Sequence, residues 1–154
     1  MENTQMVTIE EGKTLNFMDE SQNFIADLTT ARDVQYCSMK ISNDEDAIVL
    51  FNAMNNPEKR IGDCINQVIE VKDVFCEVVN CENRETAQIS RCPRIVLIDK
   101  NGIGYQAVSL GIYSALKKVF ALKGTPDQWN EPVKLQVNQV TRGERKMLTF
   151  KMVK

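Results

Sequence analysis

Four carboxylates crowd one apolar stretch of the chain: Glu70, Asp73, Glu77 and Glu82. When such groups converge they hold a divalent metal, and the metal polarises phosphate esters for hydrolysis. The stretch reads as a strand, so successive side chains face opposite ways. Asp73 and Glu77 then share one face and Glu70 and Glu82 the other, and no site forms without a bulge. The five cysteines (Cys37, Cys64, Cys76, Cys81 and Cys92) offer the other metal chemistry. Cys76, Cys81 and Cys92 are the candidate zinc ligands. They are separated by four and ten residues, not by the short pairs of zinc sites, and the chain has no His. They read as free thiols, several of them small core residues. No dinucleotide glycine fingerprint, phosphate-binding loop or GxSxG elbow occurs, and Gly102-x-Gly104 is too short to count. The chain reads as non-enzymatic, with no catalytic residue, metal or cofactor.

What remains is charge and flat side chains. The formal net charge is only −2, but residues 1–83 hold 6 Lys/Arg against 16 Asp/Glu, and residues 84–154 hold 13 against 5. An asymmetry of −10 against +8 points to a polyanion partner, or to an acidic segment that competes with one. Arg84, Arg91, Arg94, Lys100, Lys134, Arg142, Arg145 and Lys146 are the candidate phosphate contacts. Tyr105, Phe75 and Trp129 are the candidate platforms on which bases would stack. The core competes for each of the three. Phe is mostly buried, Tyr often lies half exposed with its hydroxyl in water, and Trp129, in DQWNE, can equally cap the end of a barrel.

The elements that must position these residues follow from pattern. At 154 residues the chain is expected to form a single domain. Residues 1–18 read as irregular or weak strand. Residues 21–31 read as a short helix with Phe24, Ile25 and Leu28 on one side, and residues 36–41 as a strand. Residues 43–56 read as a helix capped by Asn43 or Asp44, with an apolar face of Ile48, Phe51 and Met54. From residue 68 the order is cleaner. Strands are expected at 68–81, 89–99 and 103–108, with Pro93 marking an edge or bulge and Asn101-Gly102 a type I′ turn. Ser109 caps a helix over 110–122 that Gly124 ends. Alternating strands at 133–140 and 146–153 follow, joined by a loop at 141–145. Three strands, a helix and a terminal hairpin are the parts of an OB-like five-stranded antiparallel barrel, with the helix between strands 3 and 4. Residues 1–67 are then an N-terminal elaboration and 68–154 the barrel. A mixed sheet with one helix gives the same string. In the barrel reading most of the candidate cations fall on the face of strands 2 and 3 or in the loops beside it. Lys117, Lys118 and Lys123 fall on or just beyond the helix.

Three stretches, NAMNNPEKRIGDCIN (52–66), PRIVLIDKNGIGYQAVSLGIYSALKKVF (93–120) and PVKLQVNQVTRGERKMLTF (132–150), resemble the single-stranded DNA-binding proteins of tailed phages. The resemblance implies an OB-like fold and sequence-independent binding and protection of single-stranded DNA in phage replication or recombination. It makes single-stranded DNA the expected partner, with replication or recombination proteins and further copies of the chain as candidates. Many such proteins end in an acidic tail that recruits partners, whereas this chain ends in the basic TFKMVK. The competing reading is a protein-interaction module whose acidic first half docks a basic partner. No apolar run approaches the length of a membrane span, and the first residues lack the order of a signal peptide, so the expected location is the cytoplasm, that of the bacterial host if the chain is phage-encoded.

Overall fold

The computed structural model describes residues 35–154, so the strand expected at 1–18 and the helix at 21–31 lie outside the described residues. The elements run β1 (Gln35–Cys37), α1 (Asp44–Asn55), β2 (Lys59–Arg60), β3 (Val68–Glu82), β4 (Ile89–Asp99), β5 (Gly104–Val108), α2 (Leu110–Lys123), β6 (Val133–Arg142) and β7 (Arg145–Val153). The sheet order is β2-β5-β4-β3-β6-β7, and β1 pairs with β3. All pairings are antiparallel except β2 with β5. The result is a curled, mixed half-barrel, consistent with an OB-like barrel. It departs from the expected five-stranded antiparallel sheet in two respects. Seven strands are present among the described residues, the two extra ones, β1 and β2, coming from the N-terminal elaboration, and β2 pairs with β5 in parallel.

β3 is long because Val, Ile and Phe recur along it at positions that both faces of the sheet bury. Its register against β4 shifts between Val71 and Asp73. Ile69 and Val71 face the main core before the shift, and Val74 and Cys76 after it. The bulge therefore rotates Asp73 and Glu77 onto the side where Glu70 already points, which strict alternation did not allow. The carboxylates still do not converge. Glu70 pairs with Lys100, Asp73 accepts from the Ser38 hydroxyl, and Glu77 pairs with Arg94. Among the described residues no three metal-binding side chains gather.

The main core lies inside the curl. Leu97, Leu135, Val137 and Ile95 line it, and α2 fills it with Ile112, Tyr113, Leu116 and Phe120. Ser109 caps α2 through Ile112 N–H at 3.1 Å, and Gly124, at φ +82°, ends it. A smaller core forms on the outer side of β3 and β4, where Phe75, Val96 and Ile98 meet Ala53 of α1. Two glycines set how closely the helices dock. A Cβ on Gly104 would stand 2.9 Å from Ala53 Cα, and one on Gly111 would stand 2.2 Å from the Leu148 carbonyl oxygen. Neither α1 on β5 nor α2 on β7 leaves room for a side chain there.

Three local expectations change. Asn43 caps α1, accepting from Asp46 N–H at 2.8 Å, but the buried side of the helix is Val49, Leu50, Ala53 and Met54. Ile48 and Phe51, expected inside, are 60% and 61% exposed. The close seat over Gly104 takes Ala53 inward and turns those two outward. Pro93 lies in a central strand, yet at a place where β4 has outrun β5, whose last paired residue, Val108, stands opposite Arg94. The 99–103 turn is not type I′, because Gly102 has φ +85° while Asn101 is not at positive φ. The Asp99 carboxylate organises it instead, accepting from Asn101 N–H at 2.8 Å and Ile103 N–H at 3.0 Å.

Candidate nucleic-acid interface

β6 and β7 form a twisted ribbon. Val133, Leu135 and Val137 turn into the core and Lys134 turns out. Arg142 stands directly opposite Arg145, so the connection is the two-residue turn Gly143-Glu144, shorter than the expected 141–145 loop. Gly143 has φ +63° and open space around it, as the first position of such a turn requires. Alternation places Lys134, Arg142, Arg145 and Lys151 on one face and Lys146 on the other. The ribbon carries five cations against a single carboxylate, Glu144. Two guanidinium groups facing each other across a strand pair repel at close range. No carboxylate bridges either of them among the described residues, so this tip attracts an anion of any origin.

The face of β4 and β5 is arranged differently. Arg94, expected to meet phosphate there, has a side chain only 14% exposed. Its Nη1 donates to Glu77 Oε2 at 2.8 Å, its Nη2 to the Met54 carbonyl oxygen at 2.7 Å, and its Nε to Gln106 Oε1 at 3.2 Å. Met54 is in the last turn of α1, so the guanidinium satisfies an otherwise orphaned carbonyl and complements the negative end of the helix. Arg94 holds α1 across the outer face of the sheet and is removed from the candidate interface. Lys100 is exposed but ion-paired to Glu70 at 2.8 Å, and that hydrogen bond raises its affinity for its proton. Arg91 is half-buried, opposite Asn80 on β3. Arg84 is exposed in the turn between β3 and β4, where the Asn83 side chain accepts from Glu85 and Thr86 N–H groups.

The aromatic candidates are largely consumed by packing. Phe75 is buried in the smaller core beneath α1. Tyr105 is 8% exposed and faces inward. Its hydroxyl donates to Asp99 Oδ2 at 3.1 Å, and burial first, then Asp99, pushes its pKa up to about 12. Neither ring presents a face to solvent, so both are corrected from platforms to packing residues. Trp129 is half-buried, edge-on to Phe120 with centroids 6.2 Å apart, and its Nε1 donates to the Gly124 carbonyl oxygen at 2.9 Å. It packs against the main core, and its outer edge lines a cleft beside Lys72 and Asp73.

Three further cations, Lys59, Arg60 and Lys151, are exposed on the sheet. Lys151 shares the face of Lys134 on the ribbon, facing Gln136. Lys59 and Arg60 form β2 and are exposed along β5, with Lys59 Nζ 5.7 Å from the Tyr105 ring centroid. The signal for the last two was present in the NPEKR segment; their pairing with β5, more than forty positions away, was not.

A family model described as phage single-stranded DNA-binding protein matches residues 29–153. No curated protein and no solved structure matches the chain.

Proposed function

Since the chain belongs to the phage single-stranded DNA-binding protein family, we propose that it binds and shields single-stranded DNA without reading its sequence, in phage replication or recombination inside the host cytoplasm, and carries out no chemistry on it. The observation that carries this reading is the β6–β7 ribbon, with Arg142 and Arg145 opposed at its tip and Lys134 and Lys151 on the same face. Phosphates passing along that face relieve the repulsion between the two guanidinium groups. Arg84, beyond the far end of β3, and the exposed Lys59–Arg60 edge carry further positive charge. Sequence tolerance is supported by the kind of contact: cations meeting phosphates carry no base information. Trp129 is the remaining stacking candidate, through its exposed edge.

Fluorescence anisotropy with labelled oligo-dT against a duplex of equal length tests the proposal. Tighter binding of the single strand is expected, with affinity falling by about 0.7 log units per log unit of salt for each neutralised phosphate. Silence at low salt, or preference for the duplex, overturns it. Reversing Arg142, Arg145 and Lys146 to Glu abolishes binding if the ribbon holds the strand and leaves it intact if the chain is only a protein-docking module.

A further inference from the structure

Among the described residues nothing packs on one side of α1. Ile48 and Phe51, three positions apart, are 60% and 61% exposed on it. Asp44, Glu45 and Asp46 fill the first turn of the same helix, and its last turn has no basic residue. A single exposed apolar side chain is ordinary. Two at i and i+3, with acids beside them, are the stripe by which a helix lies in a groove.

The same chain carries a groove of complementary kind. It lies between α2 and β7 and encloses about 520 Å³. Leu110, Leu122, Met147 and Met152 rim it with exposed apolar surface, Leu122 being 81% exposed. The charged residues lining it are Lys118 and Arg142, both positive. Ser114 and Ala115 keep its α2 wall low enough for another helix to approach. Methionine-rich apolar walls adapt their shape to an incoming side chain.

We propose that Ile48 and Phe51 of one copy seat in the α2–β7 groove of the next copy, with the acids of α1 facing Lys118. A second copy is favoured over a foreign partner because this chain itself displays the chemistry the groove asks for, an apolar stripe flanked by acid. Groove-to-groove pairing would instead oppose two positive rims. Donor and acceptor are different patches of one molecule, so the contact is heterologous and does not close on itself; it propagates copy after copy. Resting on the reading that single-stranded DNA is the ligand, the contact lines copies along a strand and makes their binding cooperative.

Sedimentation of the full chain without DNA tests the contact. Self-association of the wild type should rise with concentration. Ile48→Ser/Phe51→Ser, which removes the stripe, and Leu122→Ser/Lys118→Glu, which spoils the groove, should each weaken it on the order of ten-fold or more, as loss of an interface anchor does. All these positions lie at the surface, and unchanged thermal melts establish that the variants fold. An equimolar mixture of the two variants retains one complementary pair of surfaces and should give dimers and nothing larger. A wild type that stays monomeric up to about 1 mM, variants that associate like the wild type, or a mixture that extends into chains overturns the proposal. On DNA, both variants should keep wild-type affinity for an oligo-dT short enough for one copy and lose cooperativity on long poly(dT). Retained cooperativity overturns the proposal. If the wild type binds no oligo-dT at all, the DNA reading fails while the DNA-free experiment still decides the contact.

Discussion

The outer face of β4 and β5 and the β6–β7 ribbon each set arginine beside apolar residues, Arg94 on the first and Arg142 and Arg145 on the second. They differ in what lies over them. α1 crosses the first, and its C-terminal turn brings a bare carbonyl to Arg94, so the guanidinium is spent inside the protein on Met54, Glu77 and Gln106. Among the described residues no ion pair reaches the tip of the ribbon, where Arg142 and Arg145 face each other beside Glu144. A cation is available to a ligand only when the fold has given it no partner of its own, and that depends on contacts far away in sequence.

The contrast breaks most sharply at Arg94. Arg94→Met should cost about 2–3 kcal/mol of stability, because it strands a half-buried Glu77 and a helix-end carbonyl. It should leave the salt slope of DNA binding unchanged. Denaturant unfolding and anisotropy read the two effects separately. A variant that folds like the wild type but loses DNA would return Arg94 to the interface.

Next in size is the seat of α1. Gly104→Val puts methyl groups where Ala53 already stands, and overpacking of this kind costs roughly 1–3 kcal/mol. Thermal melts should drop accordingly, with hydrogen exchange of α1 amides accelerated before those of β6. Equal loss of protection in both would show that α1 and the ribbon are not separate in their stability.

The ribbon itself should answer in the opposite sense. Arg142→Ala with Arg145→Ala removes a like-charge pair, so stability should hold or rise by up to about 1 kcal/mol. Meanwhile the slope of log affinity against log salt should flatten by about 1.4, two phosphates' worth for a single strand. A stability loss with no change in slope would mean that the two arginines serve the fold and the phosphates lie elsewhere.

Much of this was readable beforehand. Val133, Leu135 and Val137 against Lys134, Gln136 and Asn138 are enough to expect a strand, and β6 runs Val133–Arg142. Ser109 and Gly124 bracket α2 because capping is a local matter. What was hidden is long-range. The inward side of α1 is chosen by Gly104, a residue of another element, so a face that periodicity assigned to Ile48 and Phe51 ended outside. β2 is two residues long and exists through its pairing with β5. The bulge after Val71 has no mark in residue types, yet it reassigns every side chain beyond it.

Tyr105 gives the smallest and cleanest separation of the two regions. It belongs to the covered side, with its hydroxyl donating to Asp99. Tyr105→Phe removes that single hydrogen bond and should cost about 1 kcal/mol while leaving DNA affinity unaltered. Its titration carries the same message. Burial, and then Asp99, raise the folded phenol to about 12 from its ordinary 10.0, so the fold favours the neutral form. That contribution is fully present below pH 10 and is lost as pH rises from 10 through 12. Stability should therefore fall across this window, and Tyr105→Phe, which has nothing to ionise, should fall less steeply. A phenol that titrates near 10 in the folded protein, or is shielded from titration only when oligo-dT is bound, would place the ring at the surface and return it to the DNA.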